Sequence, residues 1–160
     1  MTTRNILVLC TGNSARSIIG EVLASSMPGL KGYSAGSTPR GEVHPMALTV
    51  LSAKGHDVSG LSSKNWEVFA APDAPRMDVV ITVCDNAAGE ACPYWPGHPV
   101  QVHWGLPDPA YIESTMRQRL AFEDIYSDLK KRLQKLAALD FDALPEAGLR
   151  EAAQAIHTQR

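Results

Sequence analysis

The residues best suited to chemistry stand early in the chain, where Cys10 is followed by Thr11, Gly12, Asn13, Ser14, Ala15, Arg16 and Ser17. A cysteine and an arginine six positions apart, across a loop that enters a helix, can build a cradle for one anion. Successive backbone N–H groups of residues 11 to 16 can converge on it, the helix N-terminus adds partial positive charge, and Arg16 offers a bidentate fork to two oxygens. The same positive surroundings favour thiolate over thiol, which makes Cys10 a candidate nucleophile toward a tetrahedral oxyanion. Ser17 can donate a hydrogen bond to that thiolate, and Asn13 suits a left-handed turn position from which its amide braces the loop. A lone cysteine is ordinarily a small buried residue. Strand, Cys-x5-Arg-Ser and helix in succession weigh against that bland alternative.

The elements that must position these groups follow from hydrophobic patterning. Asn5 to Cys10 is a nearly continuous aliphatic run, as in a strand buried on both faces of a parallel sheet. Ile18, Ile19, Val22, Leu23 and Met27 have helical spacing. Lys31 to Gly36 reads as a short second strand, and Pro45 to Lys54 as a second helix stopped at Gly55. Asp78 to Cys84 is a third strand, again ending on a cysteine, and His98 to Trp104 a fourth. A long helix runs from about Ile112 to Leu139, with Met116, Leu120, Ile125, Leu129, Leu133 and Leu136 as its apolar positions. This order predicts an α/β fold with a doubly wound parallel sheet and helices on both faces. Ligands in such sheets sit beyond the C-terminal strand ends, where Cys10 and Cys84 lie. Residues 1–140 are expected to form one catalytic domain and residues 141–160 a peripheral helix or tail, with no chemistry assigned to it.

Bulk properties narrow the function. With 17 acidic and 15 basic residues in 160, the formal net charge is −2, which argues against nucleic acid as a partner. No apolar stretch approaches a membrane span, and the N-terminal run is too short for a signal peptide, so a cytoplasmic protein is expected. Three cysteines are an odd count for a structural disulfide framework. The five histidines show no metal or triad spacing, and Trp66, Trp95 and Trp104 read as packing or pocket-rim groups. No nucleotide fingerprint is present. A tightly bound cofactor is not expected, and the expected state is a monomer.

The Cys10 to Ser17 loop after the first strand resembles that of the low-molecular-weight protein tyrosine phosphatases and of the arsenate reductases that share their fold. The resemblance extends to Tyr33-Ser-Ala-Gly36, to Val83-Cys84-Asp85 with Cys92-Pro93, and to His103-Trp-Gly105 with Asp108-Pro109. It implies a four-stranded, flavodoxin-like parallel sheet with arsenate bound on the loop, phosphate or sulfate being mimics. Asp108, in Leu106-Pro-Asp-Pro-Ala110, could protonate a departing oxygen, a role both branches use. Ala110 stands where the phosphatases usually carry an aromatic residue, which favours the reductase branch, although Tyr111 could partly substitute.

The cysteine pair discriminates further. A phosphatase hydrolyses its cysteinyl-phosphate with water and needs no second thiol. Reduction of arsenate needs two electrons, which Cys84 can supply by attacking the Cys10 sulfur and expelling arsenite. Cys92 would then take over the disulfide. Eight residues of helix span about 12 Å, beyond disulfide range, so the relay requires the segment between Cys84 and Cys92 to unwind. That connection is one residue longer than in the thioredoxin-linked reductases, which leaves thioredoxin and glutaredoxin with glutathione both open as the thiol donor. Some of those enzymes bind potassium through residues matching Asn13, Glu21 and Ser34 plus an acidic residue. The last position here falls on Ser63 or Lys64, and the ammonium of Lys64 is expected to replace the cation. The leading expectation is therefore an arsenate reductase with a redox-active disulfide, serving arsenic detoxification. A low-molecular-weight protein tyrosine phosphatase, or a non-enzymatic oxyanion or redox sensor, are the alternatives.

Overall fold

A computed structural model describes residues 3–84, 95, 99–107, 109 and 112–158. Four strands, β1 (Arg4–Leu9), β2 (Leu30–Ala35), β3 (Val79–Thr82) and β4 (Val100–His103), form one parallel sheet in the order β2-β1-β3-β4. The helices of the described residues are α1 (Arg16–Ser25), α2 (Pro45–Ala53), α3 (Thr115–Ala137) and α4 (Glu146–Thr158), with a 3-10 turn at Trp66–Phe69.

The aliphatic run of β1 is continuous because both of its faces are covered. Ile6 and Val8 join a core with Ile18, Ile19 and Leu23 of α1, Val50 and Leu51 of α2, and Phe122, Leu129 and Leu133 of α3. Leu7 and Leu9 point the other way, into a smaller core of Trp66, Phe69, Met77, Val80 and Trp95. Trp66 and Trp95 meet edge to face there, their ring centroids 6.4 Å apart. Trp104 is fully buried in the larger core.

The core stripe of α3 excludes Met116 and Leu120, contrary to the pattern read from the sequence. Met116 and Leu120 are 76% and 56% exposed. The buried stripe of α3 is Phe122, Ile125, Tyr126, Leu129, Leu133 and Leu136. Traced back at about 100° per residue, that stripe leaves positions 116 and 120 well off the core-facing side. The apolar residues at the helix start mimic the period without sharing its phase.

Because β1 is flanked by β2 on one side and β3 on the other, the order of connections reverses between β1 and β3. That is the crevice where open α/β sheets place ligands. Leu9 pairs with Thr82 in register. Cys10 and Cys84 therefore leave the sheet from neighbouring strands at this point.

Candidate active site

Cys10 continues β1 through its N–H, which donates to Ala35 C=O at 3.3 Å. The chain then turns into α1 with Ala15 at the N-cap, and no side chain caps that helix. The first N–H groups of a helix have no intrahelical partner and are left for an anion.

The loop is oriented from outside. Its carbonyls are tied away from the crevice: Thr11 C=O accepts from Thr38 N–H at 2.9 Å, Gly12 C=O from Arg40 N–H at 3.0 Å, and Ser14 C=O from His44 N–H at 2.8 Å. Ser63 adds its hydroxyl to Gly12 C=O at 3.2 Å. Holding peptide oxygens outward turns N–H groups inward, which is the geometry of an anion nest. Asn13 makes the sharp turn at φ 43. Its amide spans the loop, accepting from Lys64 N–H at 2.8 Å and donating to Ser17 Oγ at 2.8 Å.

Ser17 Oγ lies 2.9 Å from Cys10 Sγ. Asn13 already donates to the serine oxygen, which leaves the serine proton available to a thiolate at Cys10. Asn13 and Ser17 are fully buried and Cys10 is 3% exposed, so the Cys10 sulfur meets the serine hydroxyl inside the fold. Arg16 reaches across to the chain after β4, its Nη1 donating to Leu106 C=O at 2.8 Å.

Cys84 is brought to the same loop. Its Sγ accepts from Thr11 N–H at 3.2 Å and lies 3.3 Å from Thr11 Oγ1. The Thr11 N–H therefore serves the second sulfur rather than the cradle. The structure thus gathers Cys10, Arg16, Ser17, Asn13 and Cys84 around one crevice. Cys92 and Asp108 lie outside the described residues.

Behind the loop, Glu21, Ser34 and Lys64 meet. Glu21 Oε1 accepts from Ser34 Oγ at 2.5 Å and stands 3.6 Å from Lys64 Nζ, which also donates to Ser62 C=O at 2.8 Å. Among the described residues no group of three His, Cys, Asp or Glu could hold a metal ion, and no helix is long and apolar enough to cross a membrane.

Sequence reasoning missed the strap formed by residues 36–44 and 63–66. Its donors are mostly backbone N–H groups, which carry no residue-type signature. Gly36 was the available signal. It bridges to Asn65, and any side chain there would strike the loop.

Comparison with known proteins places this geometry in context. The sequence profile of the family described as low molecular weight phosphotyrosine protein phosphatase matches residues 5–150. An arsenate reductase of Bacillus subtilis (strain 168) is 34% identical over 140 residues, covering 86% of this chain and 97% of the relative. The solved structure of an arsenate reductase in the intermediate state is 28% identical with a TM-score of 0.66, covering 85% of this chain and 98% of that one. The thioredoxin-dependent arsenate reductase of Corynebacterium glutamicum is 26% identical with a TM-score of 0.59, over 84% of this chain but 60% of that one.

Proposed function

Because the chain belongs to the family of the low molecular weight phosphotyrosine protein phosphatases and the arsenate reductases of the same fold, we propose that it reduces arsenate to arsenite through a cysteine relay. The observation that carries this reading is the contact of Cys84 with Thr11. A second thiol is held by the oxyanion loop itself, next to the nucleophile. A phosphatase has no step for it.

In this mechanism the Cys10 thiolate attacks arsenic, and an arsenate hydroxyl leaves as water after taking a proton from Asp108. The loop N–H groups and Arg16 hold the remaining oxygens. The Cys84 thiolate next attacks Cys10 Sγ. A disulfide forms, the sulfur–arsenic bond breaks, and its electron pair stays on arsenic, which leaves as arsenite. Cys92 attacks Cys84 and releases the Cys10 thiolate, and an external thiol reduces the Cys84–Cys92 disulfide. Both thioredoxin and glutaredoxin with glutathione are chemically competent donors. The thioredoxin dependence of the Corynebacterium glutamicum relative supports the first. The reading includes a cytoplasmic monomer with its catalytic domain in residues 1–140.

The deciding experiment is an arsenite-release assay with the two donor systems in parallel. We expect turnover with at least one. Hydrolysis of aryl phosphates without arsenite under either donor would favour the phosphatase alternative. Tight arsenate binding with no turnover would leave a sensor.

Lys64 is proposed to take the place of a potassium ion behind the loop. The Lys64 ammonium stands 3.6 Å from Glu21, whose carboxylate holds Ser34, while the Lys64 backbone N–H donates to Asn13 Oδ1. Steady-state rates are expected to be the same in potassium and sodium chloride at equal ionic strength. A marked rise specific to potassium would overturn this assignment.

A further inference from the structure

The last helix, α4, lies against β4 and holds more than the core. Leu149, Ala153 and Ile156 are buried in the same cluster as Val100, Val102 and Trp104. Gln154, beside Ala153, turns its carboxamide to the strand. Its Oε1 accepts from His103 N–H at 2.8 Å, and its Nε2 donates to His103 C=O at 2.7 Å. The side chain thus makes the pair of bonds that a further strand would make at this residue. The Trp104 indole N–H donates to Ala153 C=O at 2.9 Å.

The strand end held in this way runs directly into the site. Trp104 N–H donates to Thr82 C=O at 2.8 Å, and Leu106 N–H to Val83 C=O at 2.9 Å. Leu106 C=O receives the Arg16 guanidinium at 2.8 Å. Packing of α4 on the sheet needs only its apolar residues. The Gln154 clasp does something different, since it fixes the direction of a backbone three residues before the carbonyl that orients Arg16.

We infer that Gln154 is a positioning residue for the oxyanion site, acting through the His103–Leu106 backbone on the Arg16 fork. A bidentate fork must align two N–H groups with two oxygens, so a small drift of its anchoring carbonyl weakens anion binding. On the edge of the sheet, water can replace the lost carboxamide, so stability changes less than binding. The inference rests on the oxyanion reading of the loop and not on arsenate as the substrate.

The test is calorimetric titration of inorganic phosphate into the reduced, full-length protein. Gln154→Ala is expected to weaken binding roughly three- to tenfold, with the melting temperature lowered by less than about 4 °C. Gln154→Glu separates positioning from bulk. Its ionised carboxylate still accepts from His103 N–H but repels His103 C=O, and protonation restores the donor. Its affinity relative to wild type at the same pH should therefore recover as pH falls from about 7 to about 4, through the ordinary carboxyl range. Arg150→Ala, which breaks only an exposed ion pair with Glu146 on the same helix, should bind like wild type. Unchanged phosphate affinity in Gln154→Ala, or no recovery in Gln154→Glu, overturns the inference alone. Failure of the wild-type chain to bind phosphate overturns the oxyanion reading and the inference with it.

Discussion

Cys84→Ser is expected to bind arsenate normally yet release almost no arsenite. Serine can accept the same Thr11 N–H and meet the same hydroxyl, so the loop should keep its shape and stability should change by no more than about 1 kcal/mol. A hydroxyl, however, cannot attack the Cys10 sulfur to form a disulfide. The electron pair that must stay on arsenic then has no route, and multiple-turnover arsenite release should fall at least about a thousandfold. Cys10→Ser provides the contrast, because it removes the proposed nucleophile, which the reductase and phosphatase readings share. Should Cys84→Ser sustain wild-type arsenite release, the relay would be wrong, even with the family membership intact.

Gly36→Ala should damage the same site without touching a reacting atom. A Cβ at Gly36 would lie 2.4 Å from Thr11 O, 2.6 Å from Cys10 O and 3.0 Å from Asn13 N. All three are backbone atoms of the loop, so no flexible side chain can move aside. Nor can residue 36 retreat, since its N–H donates to Lys64 C=O and its C=O accepts from Trp66 N–H, both at 2.9 Å. Overpacking of this kind costs about 3 kcal/mol, and a loop displaced by about 1 Å should lose about a hundredfold in kcat/KM. Gly55→Ala is the control. Its φ of +88 disfavours a side chain, but nothing lies within 4 Å of the added carbon. It should cost about 1 kcal/mol and leave turnover unchanged. Denaturant midpoints and phosphate titration measure both, and a Gly36→Ala protein with wild-type phosphate affinity would show that the loop yields more easily than its contacts imply.

Much of the Cys10–Ser17 loop was legible because its logic is local. The aliphatic run into Cys10, the small and polar residues after it, and the helical spacing from Ile18 onward sit next to one another in sequence, and strand-loop-helix geometry leaves few ways to arrange them. Cys84 could be read as a partner because it too ends an aliphatic run, and parallel strands deliver their ends to one edge. The long helix shows the opposite case. Met116 and Leu120 matched the period of the core stripe, but only packing against α1 and α2 decided its phase.

What sequence alone determined, then, was the strand-end placement of Cys10 and Cys84, the arginine on the first helical turn, and the doubly wound class. These depend on side-chain type and on spacing along one element. The tertiary structure decided that Thr11 serves Cys84, that backbone from residues 36–44 and 63–66 turns the loop N–H groups inward, and that Gln154 clasps β4 ahead of the carbonyl holding Arg16. Those contacts join groups far apart in the chain, largely through backbone N–H and C=O groups that every non-proline residue carries, so no local pattern could reveal them.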